Sequence, residues 1–250
     1  MSPATLSKTT PVRPHSRARR LHTSWRVCLG AGLLSLAACG GDHRPPPPVA
    51  RPAPAAPSHR SGPGTTLPII GLYGDSLLAG TATGQPNNLI AVPPVRRLRE
   101  LSHDRMVTID YSRPGATTVD ALRGGYAMPF SAWDEHMKTA PEQLVVLRYG
   151  GADFILGVQE KEFRRSLTQL VRGAQAHGKT VVLVGLIPVF KGVMKFDKVL
   201  RAVAWETRVR YIELARVPFQ KHELIDGIHP GQAYSDRLIQ KLTPQLIQAL

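Results

Sequence analysis

Ser76 near the front of the chain and the pair Asp226 and His229 near its end are the residue types from which nucleophilic catalysis is built. A serine hydroxyl is a poor nucleophile near neutral pH unless a base removes its proton, and an imidazole oriented by a carboxylate can be that base. Ser76 sits in Gly74-Asp75-Ser76-Leu77, where the apolar run 67–73 stops abruptly. Asp226 precedes His229 by three residues inside Ile225-Asp226-Gly227-Ile228-His229-Pro230-Gly231, so one turn can bring the carboxylate to the ring and fix its tautomer. Such a set could carry out acyl transfer, given donors for the oxyanion that develops on the substrate. Each motif also has a plain structural reading. Gly-Asp-Ser is common turn chemistry, Asp and Ser are common helix N-caps, and a histidine in a loop is usually solvated. His15, His22, His43, His59, His103, His136, His177 and His222 are read in that last way.

The elements that must hold these residues follow from the apolar pattern. The run 67–73, bounded by Pro68 and by Gly-Asp-Ser, predicts a buried strand with a helix starting at or just after Ser76. Runs at 106–111, 143–149 and 180–186 contain β-branched residues without polar alternation, as strands covered on both faces do. A weaker fifth run lies at 209–214. Phe163, Leu167, Leu170, Val171 and Ala174 share one helical face, with Gly178 as a C-terminal stop. Leu238, Ile239, Leu242, Leu246 and Ile247 form a second stripe, interrupted by Pro244 as an expected kink. Strands alternating with helices predict an α/β three-layer sandwich with a central parallel sheet. In such sheets ligands bind outside the carboxyl ends of the strands. Two glycine turns would reach that edge with Ser76: Ser112-Arg113-Pro114-Gly115-Ala116-Thr117 after the second strand, and Gly150-Gly151-Ala152-Asp153 after the third. The glycine- and asparagine-containing loop 81–94 is expected to wall the pocket.

The formal charge of +14 over 250 residues suggests nucleic-acid binding until it is located. Lys8, Arg13, Arg17, Arg19, Arg20 and Arg26 lie before residue 38 with no acid among them, and residues 67–250 carry only about +6. With the charge concentrated in a removable segment and no basic helix interleaved with aromatics, nucleic-acid binding is set aside. The basic stretch is followed by 12 residues, 27–38, of mainly apolar character, too short for the roughly 20 that span a bilayer. It ends in Leu36-Ala37-Ala38-Cys39, which resembles a bacterial lipobox and implies lipidation of Cys39 and export to the periplasm or outer membrane. The expected organisation is a signal peptide at 1–38, a lipidated proline-rich tether at 39–66 that includes Pro45-Pro46-Pro47-Pro48, and one domain at 67–250. The two cysteines, Cys28 in the removed segment and Cys39 in thioether linkage, leave no disulfide for the mature chain.

Taken in order, Gly-Asp-Ser-Leu, the two glycine turns and Asp-Gly-Ile-His-Pro before the last helix resemble the SGNH (GDSL) hydrolase superfamily, and within it the bacterial thioesterase and lysophospholipase-like esterases. The likeness covers residues 67–250 and implies a flavodoxin-like fold with no cofactor and no metal. It also implies Ser76 as nucleophile and oxyanion donor, Gly115 as a second backbone donor, His229 as base and Asp226 as its orienting partner. The implied function is an envelope-anchored serine esterase that cleaves carboxylic esters or thioesters through an acyl-enzyme. A carbohydrate O-acetylesterase, or a non-catalytic lipoprotein that binds a glycan or lipid, is the alternative. One residue departs from the family pattern: Ala152 stands where the family has an asparagine that supplies a third donor. Either the two amides suffice, or Asn87, Asn88 or Arg148 substitutes, or turnover is lost. Arg148, which interrupts the apolar run 143–149, has an alternative reading as a strand-end salt bridge.

Overall fold

The structure, a computed structural model, describes residues 66–82, 88–126 and 128–250. The expected signal segment, Cys39 and the tether up to residue 65 lie outside these residues, as do Gly84, Pro86 and Asn87. Strand β1 (Ile69–Gly74) leads into α1 (Ser76–Ala79) and α2 (Pro94–Leu101), and β2 (Val107–Asp110) into α3 (Thr118–Arg123) and α4 (Trp133–Thr139). Strand β3 (Leu144–Arg148) is followed by α5 (Gly151–Ile155) and α6 (Glu160–Ala176), and β4 (Thr180–Val184) by α7 (Met194–Thr207). Strand β5 (Arg210–Ile212) connects through a short 3-10 turn at Lys221–Glu223 to α8 (Gln232–Ile247). All five strands are parallel, in the order β2-β1-β3-β4-β5. The chain therefore builds outward in opposite directions from β1 and β3, which opens a crevice between the loops that leave their carboxyl ends.

The apolar runs lack alternation because both sheet faces are covered. Leu144 and Val146 of β3 join Ile70, Leu72, Val182 and Val184 in a cluster closed by Leu98 of α2 and by Tyr234, Leu238, Ile239, Leu242 and Leu246 of α8. Val145 and Leu147 face the other way, against Trp133, Met137, Phe163, Leu167, Leu170, Leu200 and Val203. Helix α6 ends where the sequence indicates: Gly178 takes φ +72° and the Lys179 amide donates to the Ala174 carbonyl at 3.1 Å. Pro244 does not end α8, which runs on to Ile247. His136 corrects the solvated reading. Its ring stacks on Phe130 with centroids 4.3 Å apart, and its Nε2 lies 2.7 Å from the Tyr73 hydroxyl, within a group that includes Tyr111 and Trp133. His177 is likewise paired, at 2.8 Å from Asp134.

At the carboxyl end of β1, Gly74 lies opposite Arg148 in register. A Cβ there would sit 2.6 Å from the Arg148 carbonyl oxygen and 3.1 Å from Leu78 Cδ2, so β1 and β3 approach this closely only with glycine. Replacing Gly74 with alanine is expected to lower stability by about 1–3 kcal/mol, the usual cost of overpacking a closed interior. Urea unfolding should show a lower midpoint at unchanged slope. An unchanged midpoint would contradict this close approach.

Candidate active site

The turn after β1 is fixed by Asp75. Its Oδ1 accepts the Leu77 amide at 3.1 Å as an N-cap, and α1 ends after four residues at Gly80 in the left-handed conformation, φ +74°. This directs the Ser76 side chain over the carboxyl edge of the sheet. The turn before α8 is equally local. Asp226 Oδ1 accepts the amides of Ile228 at 3.0 Å and His229 at 2.9 Å, Gly227 supplies φ +82°, and the Ile225 amide closes onto the His229 carbonyl at 2.8 Å.

The two turns meet. Ser76 Oγ lies 2.9 Å from His229 Nε2, and His229 Nδ1 lies 2.7 Å from Asp226 Oδ2. A carboxylate only accepts, so Nδ1 carries the proton donated to Asp226 and Nε2 is left to accept from the Ser76 hydroxyl. His229 is 6 % exposed and Ser76 9 %, whereas the Asp226 side chain keeps 32 % of its surface open. Burial pushes the Asp226 carboxyl upward, but bonds from the His229 amide and ring and from the Ile228 amide outweigh it and hold the group below its ordinary value. Asp226 is therefore an anion at neutral pH.

Gly115, with φ +78°, borders the same cavity as Ser76. Neither its amide nor that of Ser76 donates to a backbone carbonyl among the described residues. Ala152 also lines the cavity, while its amide is turned to Asp75 Oδ2 at 3.3 Å. Asp153 braces the loops: it accepts the Thr118 hydroxyl at 2.6 Å, the Thr118 amide at 3.0 Å and the Gly150 amide at 3.1 Å. Burial pushes its carboxyl up to about 6, with those donors opposing the rise. Arg148 forms the strand-end salt bridge, its Nη1 2.5 Å from Asp75 Oδ1, and also borders the cavity. Asn88 does not line the cavity, and Asn87 lies outside the described residues.

Residues 83–87 of the loop expected to wall the pocket lie outside the described residues. None of the described residues of loop 81–94 lines the cavity; Thr81 instead bridges to Leu89, and the Val92 amide donates to Gln232 on α8 at 2.8 Å. The cavity, of about 270 Å³, is walled by Ile155 and Leu156 at the end of α5, by Leu186, Ile187, Val189, Phe190 and Val193 between β4 and α7, and by Ile228. The signal for this wall was the apolar run Leu186-Ile187-Pro188-Val189-Phe190, which continues past the end of β4 where a surface loop would be polar. Among the described residues no group of three His, Cys, Asp or Glu side chains is placed to hold a metal ion.

Asp226→Asn removes the acceptor that fixes the imidazole tautomer. It should slow the reaction of Ser76 with a fluorophosphonate by about 10²–10⁴-fold, the range for losing the carboxylate of such an array. A rate within threefold of the parent would contradict the role of that contact. The same pair gives a pH signature. A carboxyl held below its unfolded value of about 3.9 contributes stability above that pH and loses it as pH falls through the lower folded value. The stability advantage of the parent over Asp226→Asn should accordingly be level from pH 7 to about 4 and vanish below, as followed by urea unfolding.

Comparison with known proteins gives the family and the fold. The GDSL-like lipase/acylhydrolase family model matches residues 72–237. Esterase TesA of Pseudomonas aeruginosa is 31 % identical over 115 residues, a stretch covering 41 % of this chain and only 55 % of that esterase. Among solved structures, a crystal structure of TesA matches at TM-score 0.60 and 24 % identity over 73 % of this chain and 99 % of its own. A carbohydrate acetylesterase family member from Sinorhizobium meliloti matches at TM-score 0.60 and 19 % identity, with coverage of 73 % and 99 %. The psychrotrophic esterase EstA from Pseudoalteromonas sp. matches at TM-score 0.58 and 19 % identity, with coverage of 72 % and 97 %. With two thirds of its sequence matched, a stretch that includes the turns carrying Ser76 and His229, the chain belongs to the GDSL-like lipase/acylhydrolase family.

Proposed function

We propose that this chain is a serine esterase that cleaves acyl esters or thioesters through an acyl-enzyme, with Ser76 as nucleophile, His229 as base and Asp226 as its orienting partner. The observation that carries the reading is the unbroken contact sequence from Ser76 Oγ through His229 to Asp226, at 2.9 and 2.7 Å. Ser76 Oγ attacks the carbonyl carbon while its proton passes to His229 Nε2. The negative charge then forms on the carbonyl oxygen, for which the Ser76 and Gly115 amides are the backbone donors. Collapse of the intermediate expels the leaving group, which takes the proton from Nε2, and water repeats the sequence to release the acid. The lipobox ending at Cys39 supports a place at the cell envelope, with the lipid anchor at Cys39 and the chain 40–66 as a tether.

The cavity argues for the acyl class. Eight apolar side chains from α5, the β4–α7 connection and Ile228 enclose about 270 Å³ beside Ser76, far more than an acetyl group fills. This favours an acyl chain of several carbons over an acetylated sugar. Burying one methylene contributes about 0.8 kcal/mol, roughly fourfold in rate constant. With p-nitrophenyl esters from acetyl to decanoyl, kcat/KM should therefore rise about fourfold per methylene at first and level off once the cavity is full. Ser76→Ala should abolish turnover. A maximum at acetyl would favour the acetylesterase reading, and equal rates for Ser76→Ala and the parent would remove the enzyme reading.

A further inference from the structure

We propose that Arg148 is a catalytic residue, whose guanidinium stabilises the negative charge that forms on the substrate oxygen beside Ser76. The inference rests on the serine-esterase reading and goes beyond it, because an arginine of the central strand is assigned to transition-state stabilisation.

Four observations carry it. Arg148 is the last residue of β3, the strand hydrogen-bonded to β1, and so stands next to the turn that presents Ser76. Its side chain is only 5 % exposed, and it borders the cavity shared by Ser76, Gly115 and Ala152. Among the described residues its one side-chain hydrogen bond is from Nη1 to Asp75 Oδ1. The sealed, unpartnered side-chain polar atoms among those residues are Thr108 Oγ1, Glu142 Oε2 and Tyr149 Oη, and no atom of Arg148 is among them. Nε and Nη2 have no acceptor among the described residues, and neither is a sealed, unpartnered atom there. The small cavity on the other side of Arg148, about 30 Å³, is walled by apolar side chains and Ser235 and offers no anion. The one place nearby where negative charge would develop is the carbonyl oxygen of a substrate attacked by Ser76.

No other residue lining the cavity offers that oxygen a donor of comparable strength. Ala152 presents a methyl group to it and spends its amide on Asp75. The bonds of a guanidinium to an anion are about twice as strong as neutral ones. Asp75 balances that charge in the resting protein, so the guanidinium is in place before reaction without an uncompensated buried cation. The apolar walls of the cavity lower the local dielectric and strengthen its effect on the oxyanion.

The test separates transition-state stabilisation from a structural salt bridge. The full chain, Arg148→Met, Arg148→Lys and the charge-free pair Asp75→Asn with Arg148→Met are titrated with a fluorophosphonate to count reactive Ser76. Rates with p-nitrophenyl butyrate are then expressed per titrated site. Asparagine caps a helix about as well as aspartate, so the Asp75→Asn change keeps the N-cap of α1 and the double variant retains the fold if the single one does not. The expected result is a kcat per site lower by about 10²–10³-fold with KM changed less than threefold, the signature of losing a donor that acts only in the transition state. Arg148→Lys keeps the ion pair but not the fork, and should lose at least tenfold; it decides the question if neither methionine variant folds. A kcat per site within threefold of the parent, with only the unfolding midpoint lowered, would overturn the assignment. Failure of the parent itself to label at Ser76 would instead remove the esterase reading.

Discussion

A hydrogen bond of 2.9 Å between Ser76 Oγ and His229 Nε2, across 153 positions of sequence, is the constraint on which the rest of this molecule depends. In the observed order β1 lies inside the sheet, and α8 packs back over the face that contains Ile70 and Leu72. The Asp226–His229 turn immediately before α8 is therefore delivered to the carboxyl edge beside the turn after β1. Packing of Tyr234, Leu238, Ile239, Leu242 and Leu246 against the sheet is thus also what sets the position of the imidazole.

Asp75, Asp226 and Asp153 at the site each have donors in place before any reaction begins. Asp226 is held as an anion by three donors, and Asp75 is shared between the N-cap of α1, the Ala152 amide and Arg148. Asp153 ties the start of α3 to the Gly150 turn and so holds the loop of Gly115 against that of Ala152. The buried carboxylates of Asp75 and Asp153 are tolerable because these donors satisfy them, and such networks stiffen the loops they join. Rigidity has chemical value here, since donors already aimed at a developing charge need no reorganisation when it appears.

What could be read from the sequence was whatever local backbone chemistry determines. Asp75 as a cap, the Asp226-Gly227 turn and the glycine loops after β2 and β3 declare themselves by residue type, and the buried strands by their unbroken apolar runs. The cavity wall did not. Ile155, Leu156 and Phe190 are ordinary apolar residues whose role depends on where α5 and α7 begin and end. For loop 81–94, glycine and asparagine indicate a loop but not its direction, and among its described residues the Val92 amide donates to Gln232. The surroundings of His136 are not legible locally, because Tyr73 and Tyr111 come from β1 and the end of β2 to join Phe130 and Trp133 around the ring. Pro244 removes one donor inside α8, which the core contacts of Leu242 and Leu246 carry on to Ile247.

The most direct test of the account is mass spectrometry of the protein after brief exposure to a slowly deacylating ester. The account predicts one acyl group per chain, located on the peptide that contains Ser76, and its near absence in His229→Ala under the same exposure. An acyl group on another residue, or equal acylation with and without His229, would contradict it.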